Sequence, residues 1–525
     1  MTSSSIFSPD MNTNSQEDII ESIFQKRQQD FIKSEDLASI KENQMHSELS
    51  LGENSRNLFF KQKRLKQNIN KNEITYELKD KLSIPFDYYS TCEKTIFNIK
   101  NFSQILSAFK SNADIKQKFY GLVGLRKIII LQEAPIQEIL NEGIIADLIQ
   151  LLDLNSNPEF QYEAILSLTF LITKTSLEIS FLIIKQSVKK ILKMIDSQIE
   201  EIKLQVALFI GNLSGLSSKI RDLLINERIY DKIITTLASN NDKRLIKNYT
   251  WALGNFFRIK PVMSYDTAKK SIKTVAKNLF FLQDDKDFLA DACFILCFIT
   301  ENYKEGIKEL LELEILGNII KLLDCNVPYI QVTSLRLVGN IAAGNANQTQ
   351  KLIDLGLLPY LKKTIFNQKK MIRKETAWIL SNIAAGTQKQ VEILIEENFL
   401  EIFQNRIQND LNDVQKECIW AMCNLTNVKN EILMKKILEQ NILGCIKFCL
   451  LINETKNLAV NLEALNNLLQ FGKEHKLNNV NIVAEEMERI GMLDILENLQ
   501  SHPVEIVYEK TLKLLCDHFE VQYNE

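Results

Sequence analysis

The chain holds three tryptophans, and each stands four residues before an asparagine: Trp251 and Asn255, Trp378 and Asn382, Trp420 and Asn424. Arg336 and Asn340 keep the same spacing. Residues four apart share one face of a helix, so each pair offers an indole or guanidinium beside an amide. Such a face suits an extended basic peptide. The asparagine amide both donates to and accepts from a backbone amide without reading sequence. Tryptophan rings form slots for lysine or arginine stems, with the cation near the ring face, at about 0.5–2 kcal/mol per contact. Glu375 and Glu417, each three residues before its tryptophan, place acids on the same helical side. Core packing alone does not call for the asparagines, because a buried amide needs partners.

These pairs sit inside a repeat. Aligning LQVALFIGNLSG, NYTWALGNFFR, DACFILCFIT, TSLRLVGNIAAG, KETAWILSNIAAG and KECIWAMCNLTN places Leu208, Trp251, Phe294, Arg336, Trp378 and Trp420 in one column. Their spacings are 43, 43, 42, 42 and 42 residues, and a further step back reaches Leu166. Each unit also carries an earlier apolar helix, as in EGIIADLIQLL, LGLLPYLKKTI and QNILGCIKFCL. A constant period in the low forties built from helices is the armadillo/HEAT pattern. One such unit cannot bury its own faces, so neighbours stack into a continuous core. The expected fold is all-α, a right-handed superhelical solenoid of about ten armadillo repeats over residues 95–520. Residues 1–85, rich in Ser, Asn, Gln, Lys and Glu, read as a flexible tail with short helical pieces, and 521–525 as a C-terminal tail.

Composition agrees. With 16 Gly and 8 Pro in 525 residues, turns are too sparse for a β-rich protein. The formal charge of −3 argues against a general nucleic-acid binder, which carries a basic excess, yet leaves room for a local acidic groove. No apolar run reaches the roughly 20 residues that cross a bilayer, and the N-terminus lacks the layout of a signal peptide. Nine scattered cysteines without CxxC spacing, and four histidines, point to buried reduced thiols rather than zinc. No phosphate loop, nucleophile elbow or acid/base constellation is present. Neither an enzyme nor a cofactor is expected.

SGLSSKIRD (214–222), TWALGNFFRIKP (250–261), RLVGNIAAGNANQTQ (336–350), KETAWILSNIAAG and LEALNNLLQFGKEH (462–475) together resemble the importin-α family over most of the chain. The resemblance implies a nuclear-import adaptor that shuttles between cytoplasm and nucleus. It would take basic localisation signals in its inner groove, dock on importin-β through a basic N-terminal segment, and be recycled by a nuclear export receptor. Family residues of the minor signal site match at Arg336, Asn340, Gly344, Thr349, Glu375, Trp378, Ser381, Asn382, Glu417, Trp420 and Asn424. Ala343 stands where Thr is usual. The major site keeps Asn212, Trp251, Asn255 and Asp291 but is eroded elsewhere: Leu166 and Leu208 replace tryptophans, Phe170 an asparagine, Leu216 the lysine-gripping aspartate, and Lys174 a glycine. Residues 56–72, RNLFFKQKRLKQNINKN, resemble the second half of the importin-β-binding segment, with Lys61, Lys63, Arg64 and Lys66 as its basic spine. The arginine cluster expected upstream is replaced by SIKENQMHSEL. The expectation is an adaptor that works mainly through its minor site; the alternative is an armadillo scaffold or chaperone outside the import cycle.

Overall fold

A computed structural model describes residues 82–111, 114–153, 155–452, 455–476 and 480–519. The importin-β-binding segment expected at 56–72, with Lys61, Lys63, Arg64 and Lys66, lies outside them. The described chain is helical nearly throughout and divides into two compact units, which meet in sequence at Leu313 and Glu314.

Two helices open the first unit: α1 (Phe86–Lys94) and α2 (Phe102–Lys110). Thereafter each repeat ends in a long helix. In the first unit these are α3 (Ile115–Ile130), α4 (Pro158–Leu171), α5 (Glu200–Ser214), α6 (Lys243–Phe257) and α7 (Lys286–Asn302). In the second they are α8 (Pro328–Ala342), α9 (Lys370–Ala384), α10 (Asn412–Leu425), α11 (Thr455–Glu474) and α12 (Glu505–His518). Within each unit every such helix packs against the next one. That gives ten repeats among the described residues, with α1 falling between the expected tail and the expected start of the solenoid.

Local chemistry sets the breaks between helices. Asp242 caps α6 by accepting from the Arg244 and Leu245 N–H groups, and Asp285 caps α7 through Phe288. Asn345 and Thr387 each close a capping box with a glutamine three residues on, which satisfies otherwise orphaned helix-end donors. Between the two shorter helices of most repeats stands a residue with left-handed backbone: Gly143, Arg228, Glu314, Gly356, Asn398, Asn441 and Gly491. Gly and Asn enter that conformation most cheaply. The third and fifth repeats have none, and in the third the two shorter helices run on as one, Leu177–Met194.

Among the charged groups, Asp410 has a carboxylate only 1% exposed, held at 2.6 and 2.7 Å by Arg373, with Arg406 at 3.4 Å. Burial alone would raise its pKa, but Arg373, the Leu411 N–H and Arg406 outweigh that and hold it below the usual carboxylate range. A depressed acid stabilises the fold above its unfolded value of about 3.9 and loses that contribution as pH falls through its lower folded value. Asp410→Asn would leave two arginines facing a neutral amide, and should cost about 3 kcal/mol in urea unfolding at pH 7.

Candidate functional site

The tryptophan–asparagine pairs fall on the long helices. In the second unit α8, α9 and α10 carry Arg336, Trp378 and Trp420, each with its asparagine one turn on. The indole of Trp378 lies over the bare backbone of Gly339 on the preceding long helix: a Cβ there would fall 2.0 Å from Trp378 Cζ3. The first unit repeats the device, with a Cβ on Gly211 falling 2.4 Å from Trp251 Cζ3. These glycines stand immediately before Asn340 and Asn212, in RLVGN and LFIGN, a signal that could have been read beside the asparagines.

Glu375 is not an open acid at the end of a slot. Its side chain is 1% exposed and accepts from Arg336 Nε at 2.9 Å through Oε1, while buried Oε2 has no hydrogen-bond partner among the described residues. Burial raises its pKa and Glu417 adds to the rise, against the pull of Arg336. Ser381 Oγ lies 2.9 Å from both the Trp378 carbonyl and Glu417 Oε2, and its single proton can serve either acceptor. Asn424 Nδ2 reaches the Ser381 carbonyl at 3.5 Å, whereas Asn382 Nδ2 is buried without a partner among the described residues.

Two further expected residues do structural work. Thr349 is buried, and its hydroxyl donates to the Ala342 carbonyl at 3.0 Å. Gly344 leaves the space that the capping glutamine Gln348 fills, since a Cβ would sit 1.8 Å from Gln348 Oε1.

The first unit keeps the ladder with fewer of its rungs. Asn212 and Asn255 donate Nδ2 to the carbonyls of Leu208 and Trp251 in their own helices, at 2.9 and 3.0 Å. Arg258 donates to Asn255 Oδ1 at 3.2 Å. Asp291 is buried on α7. Leu166, Leu208 and Phe170 are packed away. Lys174, which stands where the resemblance implies a glycine, donates Nζ to the Ile130 carbonyl at 3.3 Å and to that of Leu131, at the end of α3. Partial burial lowers its pKa.

One pairing escaped the sequence reading. Arg126 Nε donates to Glu163 Oε2 at 2.5 Å, and Tyr89 OH to Glu163 Oε1 at 2.8 Å. Arg126 and Glu163 occupy the positions in α3 and α4 that Arg336 and Glu375 occupy in α8 and α9. The arrangement is similar, but both oxygens of Glu163 are taken.

The glycine floor gives a clean test. Gly339→Ala must push the Trp378 indole, and overpacking of that kind costs about 1–3 kcal/mol. At Gly254 a Cβ would meet its nearest neighbours at 3.7 and 3.8 Å, an ordinary contact, and alanine is the better helix former. Urea titration should find Gly339→Ala destabilised, with altered tryptophan fluorescence, and Gly254→Ala unchanged or stabilised.

Residues 345–385 match the family model of the armadillo/β-catenin-like repeat. Importin subunit alpha-1b of rice, Oryza sativa subsp. japonica, is 33% identical over 398 residues, 74% of each chain. Importin subunit alpha-3 of Arabidopsis thaliana is 34% identical over 400 residues, again 74% of each. Among solved structures, an engineered protein superposes with a TM-score of 0.66 at 18% identity, covering 81% of this chain and all of its own; that likeness speaks to the fold alone. Repeat, ladder and relatives lead to one assignment: this chain belongs to the importin-α family.

Proposed function

We propose that this nuclear-import adaptor binds lysine- and arginine-rich localisation signals mainly on the ladder of its second unit and links them to importin-β. The observation that carries the reading is a pair of unspent groups beside Trp378. Glu375 Oε2 is a buried carboxylate oxygen and Asn382 Nδ2 a buried amide donor, neither with a partner among the described residues. An extended basic peptide supplies what each lacks: a side-chain cation for the carboxylate and a backbone carbonyl for the amide. Trp378 and Trp420 give its aliphatic stems a surface. Arg336 holds Glu375 from the other side and fixes the carboxylate before any ligand arrives.

In this reading Arg336, Asn340, Glu375, Trp378, Ser381, Asn382, Glu417, Trp420 and Asn424 form the binding surface, with Gly344 and Thr349 shaping the turn beside it. Asn212, Trp251, Asn255 and Asp291 make a weaker second surface. Shuttling between cytoplasm and nucleus, docking of importin-β on Lys61, Lys63, Arg64 and Lys66, and return by an export receptor belong to the same proposal. No catalytic step is assigned.

Calorimetry with a lysine-rich signal peptide tests it. Trp378→Ala with Trp420→Ala should weaken binding about thirtyfold, taking roughly 1 kcal/mol per ring, and added salt should weaken the unmodified protein's binding too. Unchanged affinity in the double variant would place the peptide elsewhere. The stretch SIKENQMHSEL, where an arginine cluster belongs, favours a second reading as a scaffold outside the import cycle. A pull-down of importin-β by residues 1–80 separates the two: capture at physiological salt supports the adaptor, and failure supports the scaffold.

A further inference from the structure

On each long helix the ladder face comprises the tryptophan position and the residues seven before, three before and four after it, all within one narrow stripe. On α6 that stripe is Arg244, Asn248, Trp251 and Asn255, and it is partly open: Arg244 has a side chain 44% exposed. On α4 the same stripe is Glu159, Glu163, Leu166 and Phe170, and it is closed, with Glu159 and Glu163 both 0% exposed. The cover is this chain's own α1 and the residues leading into it. The Ser83 N–H donates to Glu159 Oε2 at 3.4 Å, and the Ser83 hydroxyl also bonds that carboxylate. Tyr89 OH takes Glu163 Oε1 at 2.8 Å.

The corresponding stripe of α3 is covered too. The Tyr89 ring lies 5.2 Å from that of Phe119, Glu93 pairs with Arg126, and Tyr88 OH reaches the Lys116 carbonyl at 3.0 Å. Lys127 ties the far end down, donating to the Thr95 carbonyl at 2.9 Å and the Cys92 carbonyl at 3.3 Å. Ile84, Tyr89 and Cys92 are buried in the process.

We infer that α1 is a built-in stop: it occupies the ladder face of the first two repeats and keeps a peptide that follows the ladder from running onto them. The helix does not imitate a basic ligand. Its charged residues are Asp87, Glu93 and Lys94, and it holds on through a phenol, an acid and apolar burial. A basic peptide lying along Asn212, Trp251 and Asn255 finds neither Glu163 nor Arg126 beyond them, because both are spent on each other and on α1. The inference rests on the peptide-binding reading of the ladder and sharpens it into a limit on which repeats a ligand can reach.

Two measurements on the full chain test the stop. Hydrogen exchange on the free protein should find the α1 amides protected at least about a thousandfold over unstructured chain; free exchange would overturn the inference. Photo-crosslinking with an octalysine peptide carrying a benzophenone should label neither α3 nor α4 in the unmodified protein. The variant Tyr89→Ser with Glu93→Lys, which sets a cation against Arg126 and removes the phenol, should gain labelling of α4. Labelling of α4 in the unmodified protein, or none in the variant, counts against the stop. Labelling of α9 and α10 in the same sample reports separately on the proposed signal site. Should it be missing, that reading fails, and the exchange data alone decide whether α1 is docked.

Discussion

The long third helix of an armadillo repeat is buried only because it lends one flank to the repeat before it and the other to the repeat after. No single repeat supplies enough apolar surface to enclose it, so each depends on neighbours of the same length and phase. That shared burial holds the period near 42 residues and, within each unit, keeps one stripe of successive long helices in phase. Isoleucines, leucines and phenylalanines fill much of the flanks. Trp251 in the first unit, and Trp378 and Trp420 in the second, stand at the same position of this repeating face.

On that stripe two devices recur, and both join one repeat to the next. A glycine lets the tryptophan of the next long helix close on the backbone, as Gly211 does for Trp251 and Gly339 for Trp378. An arginine on one helix grips a buried glutamate on the following one, as Arg126 grips Glu163 and Arg336 grips Glu375. A buried charge is costly unless paired, so these glutamates are fixed in place by the same packing that buries them. The two pairs then diverge. Tyr89 completes the first, whereas Oε2 of the second is buried without a hydrogen-bond partner among the described residues.

Much of this was legible in the sequence, because periodicity survives substitution. The column from Leu208 to Trp420 identified the long helices and their common face without reference to any one residue's environment. Leu166 and Leu208 stood out in the same column as apolar, as did Phe170 at the asparagine position, and the structure buries all three. What periodicity could not convey was partnership across repeats. Glu375 read as an acid open to a ligand, since nothing in a single helix announces that Arg336, 39 residues earlier, already holds one of its oxygens. Lys174 read only as a glycine replaced, whereas its long stem carries the ammonium back to the carbonyls at the end of α3. The helix Phe86–Lys94 escaped notice because nine residues span too few turns for an apolar stripe to stand out, and its hold on α4 depends on residues more than seventy positions away.

The uninterrupted helix Leu177–Met194 has a consequence for how the stack comes apart. In most repeats a left-handed residue separates the two shorter helices, so each can fray or reform by itself. Eighteen residues without such a joint make a rod about 27 Å long whose two halves must melt together. Opening that spreads inward from the N-terminal end therefore meets, at the third repeat, a larger cooperative step than any repeat with a joint imposes. The first two repeats, with α1 folded over them, can open and close behind that barrier while the tryptophan-bearing repeats beyond it stay intact.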